Sequence, residues 1–321
     1  MKLSTNFLLL PRHRLYIQDL LASEKKKSAE EIKKIIFTTG IKSFYVAKDK
    51  SLSNFVLNGL SQIKSSNQSL LQNIDAIIVV SQTFDSRIPN LSSKIQKFLG
   101  LPQSTYCLDF FDGCTGYIKA ISIVDMLNQK GLSRALVVAG DLNSSITENA
   151  EISTKILFGD GISFSIFESS GTRAKTLIFN DGDDEDIITC KINEGTMKMN
   201  GFEVFRFTQN VVPKLVKDFL SKELIKINSY DFIGMHQASK LVVSNLCSSL
   251  GINNKYTENF NCDNIGNLGA GSIGAWIANI PNIENNISKK ILLVGYGAGL
   301  SWGLASLSIQ LKKNEILHVN C

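Results

Sequence analysis

The sequence predicts an α/β protein assembled from two copies of one plan. Three observations carry this reading. The aliphatic runs at 75–80 (DAIIVV) and 135–139 (ALVVA) are continuous rather than alternating, as in strands buried on both faces. Segments with apolar residues at helical spacing separate such runs, and strand–helix alternation marks the α/β class. The second half of the 321-residue chain repeats the order, with 231–234 (DFIG) and 291–294 (ILLV) standing where the two earlier runs stood.

Taken along the chain, Ser28 and Glu31 form a capping-box pair that opens a helix through 30–36. Residues 75–80 follow as a strand. Over 115–127, Ile118, Ile121, Val124 and Leu127 share one helical face, so a helix leads from there to the strand at 135–139. In the second half, a helical segment at 272–279 lies between the strands at 231–234 and 291–294. Equivalent points are similarly spaced: Asp75 to Cys114 is 39 residues and Asp231 to Asn267 is 36, while Cys114 to Gly140 is 26 and Asn267 to Gly295 is 28. An internal duplication explains these spacings; the alternative is chance alignment of hydrophobic strands. The halves expected are 1–170 and 171–321, each of roughly domain size.

Composition narrows the function. Hydrophobic residues make up 44% and charged residues 20%, as in an ordinary soluble globular protein. The aliphatic runs are far shorter than the roughly 20 residues of a membrane helix. The apolar stretch at 7–10 stops at Pro11, before Arg12 and Arg14, too soon for a signal-peptide core. A cytoplasmic protein without a membrane partner is expected. Cysteines 107, 114, 190, 247, 262 and 321 contain no C-x-x-C and no zinc-like spacing, so free thiols, mostly buried, and no metal are expected. The net charge of +5 comes from scattered lysines, which argues against nucleic acid but fits an acidic protein partner or a phosphate-bearing ligand.

Each half places a glycine-rich turn between an extended segment and a helix. In the first, Asp112-Gly113-Cys114-Thr115-Gly116 sets a thiol at a helix N-terminus, where the backbone N–H groups and dipole favour thiolate. In the second, Asn267 occupies the equivalent turn. His236 follows the 231–234 strand, and the other histidines, His13 and His318, lie in polar terminal segments. Singly, each has a plain structural reading: a small core cysteine, a satisfied core histidine, an asparagine turn. At repeat-equivalent positions, the two turns meeting at a pseudo-twofold axis would build one composite site. Competing motifs fail. Gly269-x-Gly271-x-x-Gly274 lacks the acidic residue that a dinucleotide site needs at the end of the next strand, and neither G-x-x-x-x-G-K-[ST] nor G-x-S-x-G occurs. The acidic run 181–186 reads as a solvated loop.

The chain resembles the beta-ketoacyl-acyl-carrier-protein synthase III family of the thiolase-like superfamily. The resemblance rests on TGI at 39–41, DGCTGY around Cys114, FGDG at 158–161, MNGFEVFRF at 199–207, HQA at 236–238, GNLGAGSI at 266–273 and GYGAGLSWG at 295–303, in the family's order. It implies a five-layered αβαβα sandwich of two pseudo-duplicated halves, generally a homodimer. It also implies Cys114 as acyl-accepting nucleophile, His236 and Asn267 as its partners, and the backbone amides of Cys114 and Ala298 as an oxyanion hole. No cofactor is implied beyond coenzyme A or acyl-carrier-protein thioesters as substrates. Coenzyme-A-primed members commonly carry tryptophan where Lys34 stands and arginine where Thr38 stands, so the carrier of the primer stays open. Leu241 replaces an arginine associated with docking the carrier protein, leaving Lys214, Lys217 and Lys240 as docking candidates. Ile88, before Pro89, is the acyl-pocket candidate, with a pocket wider than an acetyl-specific one.

The leading reading is a condensing enzyme that loads an acyl group on Cys114 and joins it to malonyl-acyl-carrier protein with loss of carbon dioxide. The alternative is an acyltransferase on the same fold, passing the acyl group to an oxygen or nitrogen acceptor. A non-catalytic carrier-binding or dimer partner is a third reading. A glutamate-base condensation as in hydroxymethylglutaryl synthases is disfavoured because no glutamate occurs over 70–116.

Overall fold

The computed structural model describes residues 1–23, 28–252, 262–280, 283 and 287–320. The first half contains β1 (Lys2–Pro11), β2 (Arg14–Tyr16), α1 (Ile17–Ser23), α2 (Ala29–Thr39), β3 (Ser43–Tyr45), α3 (Leu52–Asn67), β4 (Ala76–Ser81), α4 (Leu91–Leu99), β5 (Tyr106–Phe111), α5 (Gly116–Gln129), β6 (Arg134–Leu142), α6 (Ser144–Thr147), α7 (Ile152–Lys155) and β7 (Asp160–Glu168). The second contains β8 (Lys175–Asn180), β9 (Ile188–Thr189), β10 (Lys198–Met199), α8 (Gly201–Lys222), β11 (Phe232–Met235), α9 (Lys240–Leu250), α10 (Cys262–Ile265), α11 (Ser272–Ile277), β12 (Lys289–Gly297) and β13 (Ser301–Val319). Every strand and helix expected from the aliphatic runs is present, with ends differing by a few residues. Ser28 and Glu31 close both bonds of the capping box at the start of α2.

Strand pairing repeats between the halves. β4 and β6 are parallel, β6 and β7 antiparallel, and β7 and β1 antiparallel. In the second half β11 and β12 are parallel, β12 and β13 antiparallel, and β13 and β8 antiparallel. Position 170/171 falls in the link between β7 and β8. The long β13 then crosses that division. It pairs with β12 and β8 from Ser301 and runs on parallel to β1 as far as Val319, linking the strands of the two main layers by hydrogen bonds; β2–β3 and β9–β10 form separate two-stranded sheets.

Burial explains why the aliphatic runs are continuous. Ala76, Ile78 and Val80 of β4 face a central cluster with Ile118, Ile121 and Val124 of α5, Ile273 and Ile277 of α11, and Ile291 and Leu293 of β12. The alternate residues Ile77 and Val79 face outward onto Phe55, Val56 and Leu60 of α3 and Ile95 of α4. Leu292 and Val294 of β12 likewise face Val212 and Val216 of α8 and Leu246 of α9. Outer helices, sheet, central helices, sheet and outer helices give the five layers of the αβαβα sandwich. The central helices are α5 and α11, those that follow the cysteine and asparagine turns. A site built where they begin lies between the halves.

Candidate active site

The Cys114 turn links β5 to α5 and is tied to the far end of the chain. Thr115 Oγ1 donates to the Ser301 carbonyl at 3.0 Å, and Ser301 Oγ lies 3.0 Å from Thr115 Oγ1 and 2.9 Å from the Ala298 carbonyl oxygen. This draws the 297–299 turn over the sulfur. A Cβ on Gly297 would stand 2.7 Å from Cys114 Cβ and 2.8 Å from Sγ, so only glycine permits the approach. The backbone N–H groups of Cys114 and Ala298, expected from the resemblance to form one oxyanion hole, both face the sulfur.

The expected thiolate-favouring environment is not what the structure builds. Burial pushes the Cys114 thiol up to about 12, and the negative charges of Asp141 and Asp112 push in the same direction; the two N–H groups favour the thiolate but are outweighed. A helix N-terminus alone does not decide the matter when the sulfur is enclosed and carboxylates stand nearby. Asp112 is itself paired with Lys119 at 2.5 Å. Although protein surrounds it, Cys114 is only half-buried, because a cavity reaches it.

His236 follows β11, with its N–H donating to the Val294 carbonyl at 2.8 Å. The imidazole is buried, and burial pushes it down to about 3, so it is neutral. Its Nδ1 has no hydrogen-bond partner among the described residues.

Asn267 is held by a short parallel bridge to Phe158: its N–H donates to the Leu157 carbonyl at 2.8 Å, and its carbonyl accepts from Gly159 at 3.0 Å. The Asn267 Oδ1 accepts from the Gly269 N–H at 2.9 Å and Ser272 Oγ at 3.0 Å, which assigns the amide orientation and leaves Nδ2 as a donor. In the same FGDG segment, Asp160 accepts from the N–H groups of Ala47 and Ser144, each at 2.8 Å, and from Ser144 Oγ at 2.6 Å. Burial holds its carboxyl up at about 6.

Cys114, His236 and Asn267 line one cavity of about 310 Å³, together with Phe158, Met199, Val204, Leu241 and Tyr296. The structure thus brings together the three residues singled out in the sequence. The Met199 wall comes from β10 and the Val204 wall from the first turn of α8; both lie in the quoted MNGFEVFRF stretch, which carried no assigned contact. Tyr296 and Phe158 stood inside the quoted motifs without an assigned contact. A second, apolar pocket of about 330 Å³, lined by Leu21, Lys34, Ile35, Ile152 and Ile156, shares Thr38 and Thr39 with the first. Ile88 is 86% exposed and forms no part of either wall in its own chain.

Lys214 and Lys217 are exposed on α8. Lys240 opens α9 between the cavity-lining Ser239 and Leu241, its Nζ 6.0 Å from the Phe37 ring centroid. The acidic run is largely exposed, and none of it lines the cavity. Cys107, Cys114, Cys190, Cys247 and Cys262 are free, with Cys190 exposed rather than buried; Cys321 lies outside the described residues. Among the described residues no group of three or more His, Cys, Asp or Glu could hold a metal, and no helix is long and apolar enough to cross a membrane.

Two family models match the chain. The 3-oxoacyl-[acyl-carrier-protein] synthase III model matches residues 108–182, which include Cys114, and its C-terminal companion matches 220–309, which include His236 and Asn267. The beta-ketoacyl-[acyl-carrier-protein] synthase III of Acholeplasma laidlawii is 29% identical over 278 residues, covering 84% of this chain and 87% of that protein. That of Clostridium perfringens is 28% identical over 300 residues, covering 84% and 89%. Among solved structures, a 3-oxoacyl-(acyl-carrier protein) synthase from Burkholderia xenovorans superposes with a TM-score of 0.90 at 24% identity, over 99% of this chain and 97% of that one. With the duplicated sandwich and the turns described above, the chain belongs to the beta-ketoacyl-acyl-carrier-protein synthase III family of the thiolase-like superfamily.

Proposed function

We propose that this chain is a 3-oxoacyl-acyl-carrier-protein synthase III-type condensing enzyme that loads an acyl group on Cys114 and condenses it with malonyl-acyl-carrier protein. The observation that carries the reading is the meeting of Cys114, His236 and Asn267 on one cavity, with the N–H groups of Cys114 and Ala298 facing the sulfur.

The chemistry follows from these groups. The resting thiol is protonated, so its proton leaves as sulfur attacks the acyl thioester. A new C–S bond forms, the oxyanion takes the N–H groups of Cys114 and Ala298, and collapse expels the carrier thiol, which keeps the proton. Malonyl thioester then loses carbon dioxide, and the electron pair of the broken C–C bond becomes an enolate. Neutral donors suit this step, because they stabilise the enolate without trapping it as an ion pair. Asn267 Nδ2 is one. His236 is the other: with Nδ1 unpartnered, the lone pair belongs there and the proton on Nε2. The enolate carbon attacks the acyl-cysteine carbonyl, a C–C bond forms, and the Cys114 sulfur departs with its electron pair.

Lys214, Lys217 and Lys240 serve as a cationic docking face for an acidic carrier protein. The protein works as a cytoplasmic homodimer. β5, which among the described residues pairs only with β4, carries exposed Tyr106 and Phe111, an apolar edge that a second copy would cover. Ile88 would then act in the partner's acyl pocket. Coenzyme A and carrier-protein primers both fit the reading.

Intact-protein mass after mixing with acyl-coenzyme A and acyl-carrier-protein thioesters tests it. A gain of one acyl group, absent in Cys114→Ala, is expected. Malonyl-carrier protein added next gives a product two carbons longer than the primer; acyl transfer to an oxygen or nitrogen acceptor, with no carbon gained, would replace condensation with the alternative chemistry. No adduct from any donor on folded protein would remove both.

A further inference from the structure

Asp141, near the end of β6, is fully buried and has no salt-bridge partner among the described residues, yet four donors converge on its carboxylate. Ser81 Oγ donates to Oδ1 at 2.8 Å and the Gln82 N–H to the same oxygen at 2.6 Å. The Ala270 N–H donates to Oδ2 at 3.0 Å, and the Gln82 side-chain amide supplies the fourth bond. Burial pushes the Asp141 carboxyl up while these four hydrogen bonds favour the carboxylate, so the donors hold the group in one orientation.

The donors come from the segments that carry the candidate catalytic groups. Ala270 and Gly269 belong to the turn that Asn267 opens, and the Gly269 N–H donates to Asn267 Oδ1. A Cβ on Gly269 would lie 2.1 Å from Asp141 Oδ2, so the turn rests against the carboxylate with no room between. On the other side, the Gln82 side chain packs on the Cys114 turn: a Cβ on Gly113 would stand 3.0 Å from Gln82 Oε1 and 3.1 Å from its Nε2. One carboxylate therefore spans from the asparagine turn, through Gln82, to the cysteine turn.

We infer that Asp141 is a positioning residue that fixes the Asn267 turn and the Cys114 turn relative to each other. This rests on the reading of Cys114 as nucleophile and Asn267 as enolate donor. The groups that bear on the sulfur are Asp141, Asp112 with its partner Lys119, the neutral imidazole of His236, and Tyr296. After burial, the negative charge of Asp141 is the next influence that pushes the Cys114 thiol up.

The test uses the full chain and two substitutions. Asp141→Asn keeps the shape but removes the charge and presents an NH₂ to one of the two backbone donors. Iodoacetamide labelling of the Cys114 peptide, followed by mass spectrometry against pH, should shift to lower pH by at least half a unit. Condensation, measured with malonyl-acyl-carrier protein on preloaded enzyme, should fall on the order of 100-fold. Gly269→Ala keeps the charge but forces the turn and the carboxylate apart, so condensation should fall at least tenfold with a smaller change in labelling than in Asp141→Asn. A purely structural aspartate would not make one variant more reactive at sulfur and slower in condensation. Unchanged labelling and condensation in folded Asp141→Asn would overturn the inference. If that variant does not fold, full condensation in Gly269→Ala would do so. Wild-type protein that takes no acyl group would instead remove the functional reading and leave the labelling comparison standing.

Discussion

The Tyr296 hydroxyl donates to the backbone carbonyl of His236 at 2.7 Å, and its ring stands edge-on to the imidazole with centroids 5.4 Å apart. A β12 side chain thus holds both the backbone and the ring plane of a residue that follows β11. In Tyr296→Phe the carbonyl loses its buried donor, and stability should drop by about 1–3 kcal/mol in urea unfolding. Condensation should slow on the order of tenfold, with acyl loading of Cys114 within about twofold of wild type. Equal losses in both half-reactions would mean that Tyr296 does not act through His236.

The environment of the thiol sets its reactivity. With the Cys114 thiol pushed up to about 12, alkylation by iodoacetamide should climb about tenfold per pH unit from pH 7 to pH 9 with no plateau. A plateau below pH 8 would show a sulfur already ionised at neutral pH. This is the point on which sequence and structure part most clearly. The helix start after Cys114 and the neighbouring Asp112 were legible, but the burial of the sulfur and the approach of Asp141 were not, because Asp141 comes from a strand 27 residues away in the chain.

His236 should leave a mark on acid stability. Its ordinary value is 6.5 and burial holds it at about 3 in the folded protein, so the unfolded chain binds the extra proton between these limits. Stability is therefore lost as pH falls through that window, by about 2 kcal/mol between pH 6.5 and pH 5. Asp160, held up at about 6, acts with the opposite sign, its contribution declining as pH rises toward 6. It is present in both proteins when wild type is compared with His236→Gln, so the difference isolates the histidine. Urea midpoints of the two should converge as pH falls from 6.5; parallel curves would indicate that the imidazole protonates freely in the fold.

Much of this architecture could be read directly. The runs at 75–80 and 135–139 are buried on both faces, which leaves no polar alternation to confuse them with surface strands, and the duplication supplied a second copy of each signal. Cys114, His236 and Asn267 stood out because glycines and strand ends mark their turns. The cavity contacts of Met199 on β10 and Val204 on α8 were hidden, since an apolar residue reads the same whether it faces a core or a cavity. Ile88 shows a different limit: its surroundings depend on what packs against an exposed surface of the chain, which periodicity does not encode.

The proposed docking role of Lys214, Lys217 and Lys240 predicts a salt-dependent effect. Reversing charge in Lys214→Glu, Lys217→Glu or Lys240→Glu should raise KM for malonyl-acyl-carrier protein on the order of tenfold, with little change in kcat. The difference should shrink as ionic strength rises. A variant with unchanged KM at low salt would remove that lysine from the docking face. Of the three, Lys240 stands nearest the cavity, between Ser239 and Leu241 of its lining.

The path of β13 bears on how the protein comes into being. β1 has β7 on one side and β13 on the other, so the opening strand lacks a neighbour until nearly everything that follows it has been made. The same late strand begins beside Ala298, whose N–H faces the Cys114 sulfur. A growing chain can therefore complete the layers around α3 and α4 while its thiol is still an ordinary cysteine. Until that late segment is in place, the Cys114 sulfur lacks one of the two N–H groups that face it.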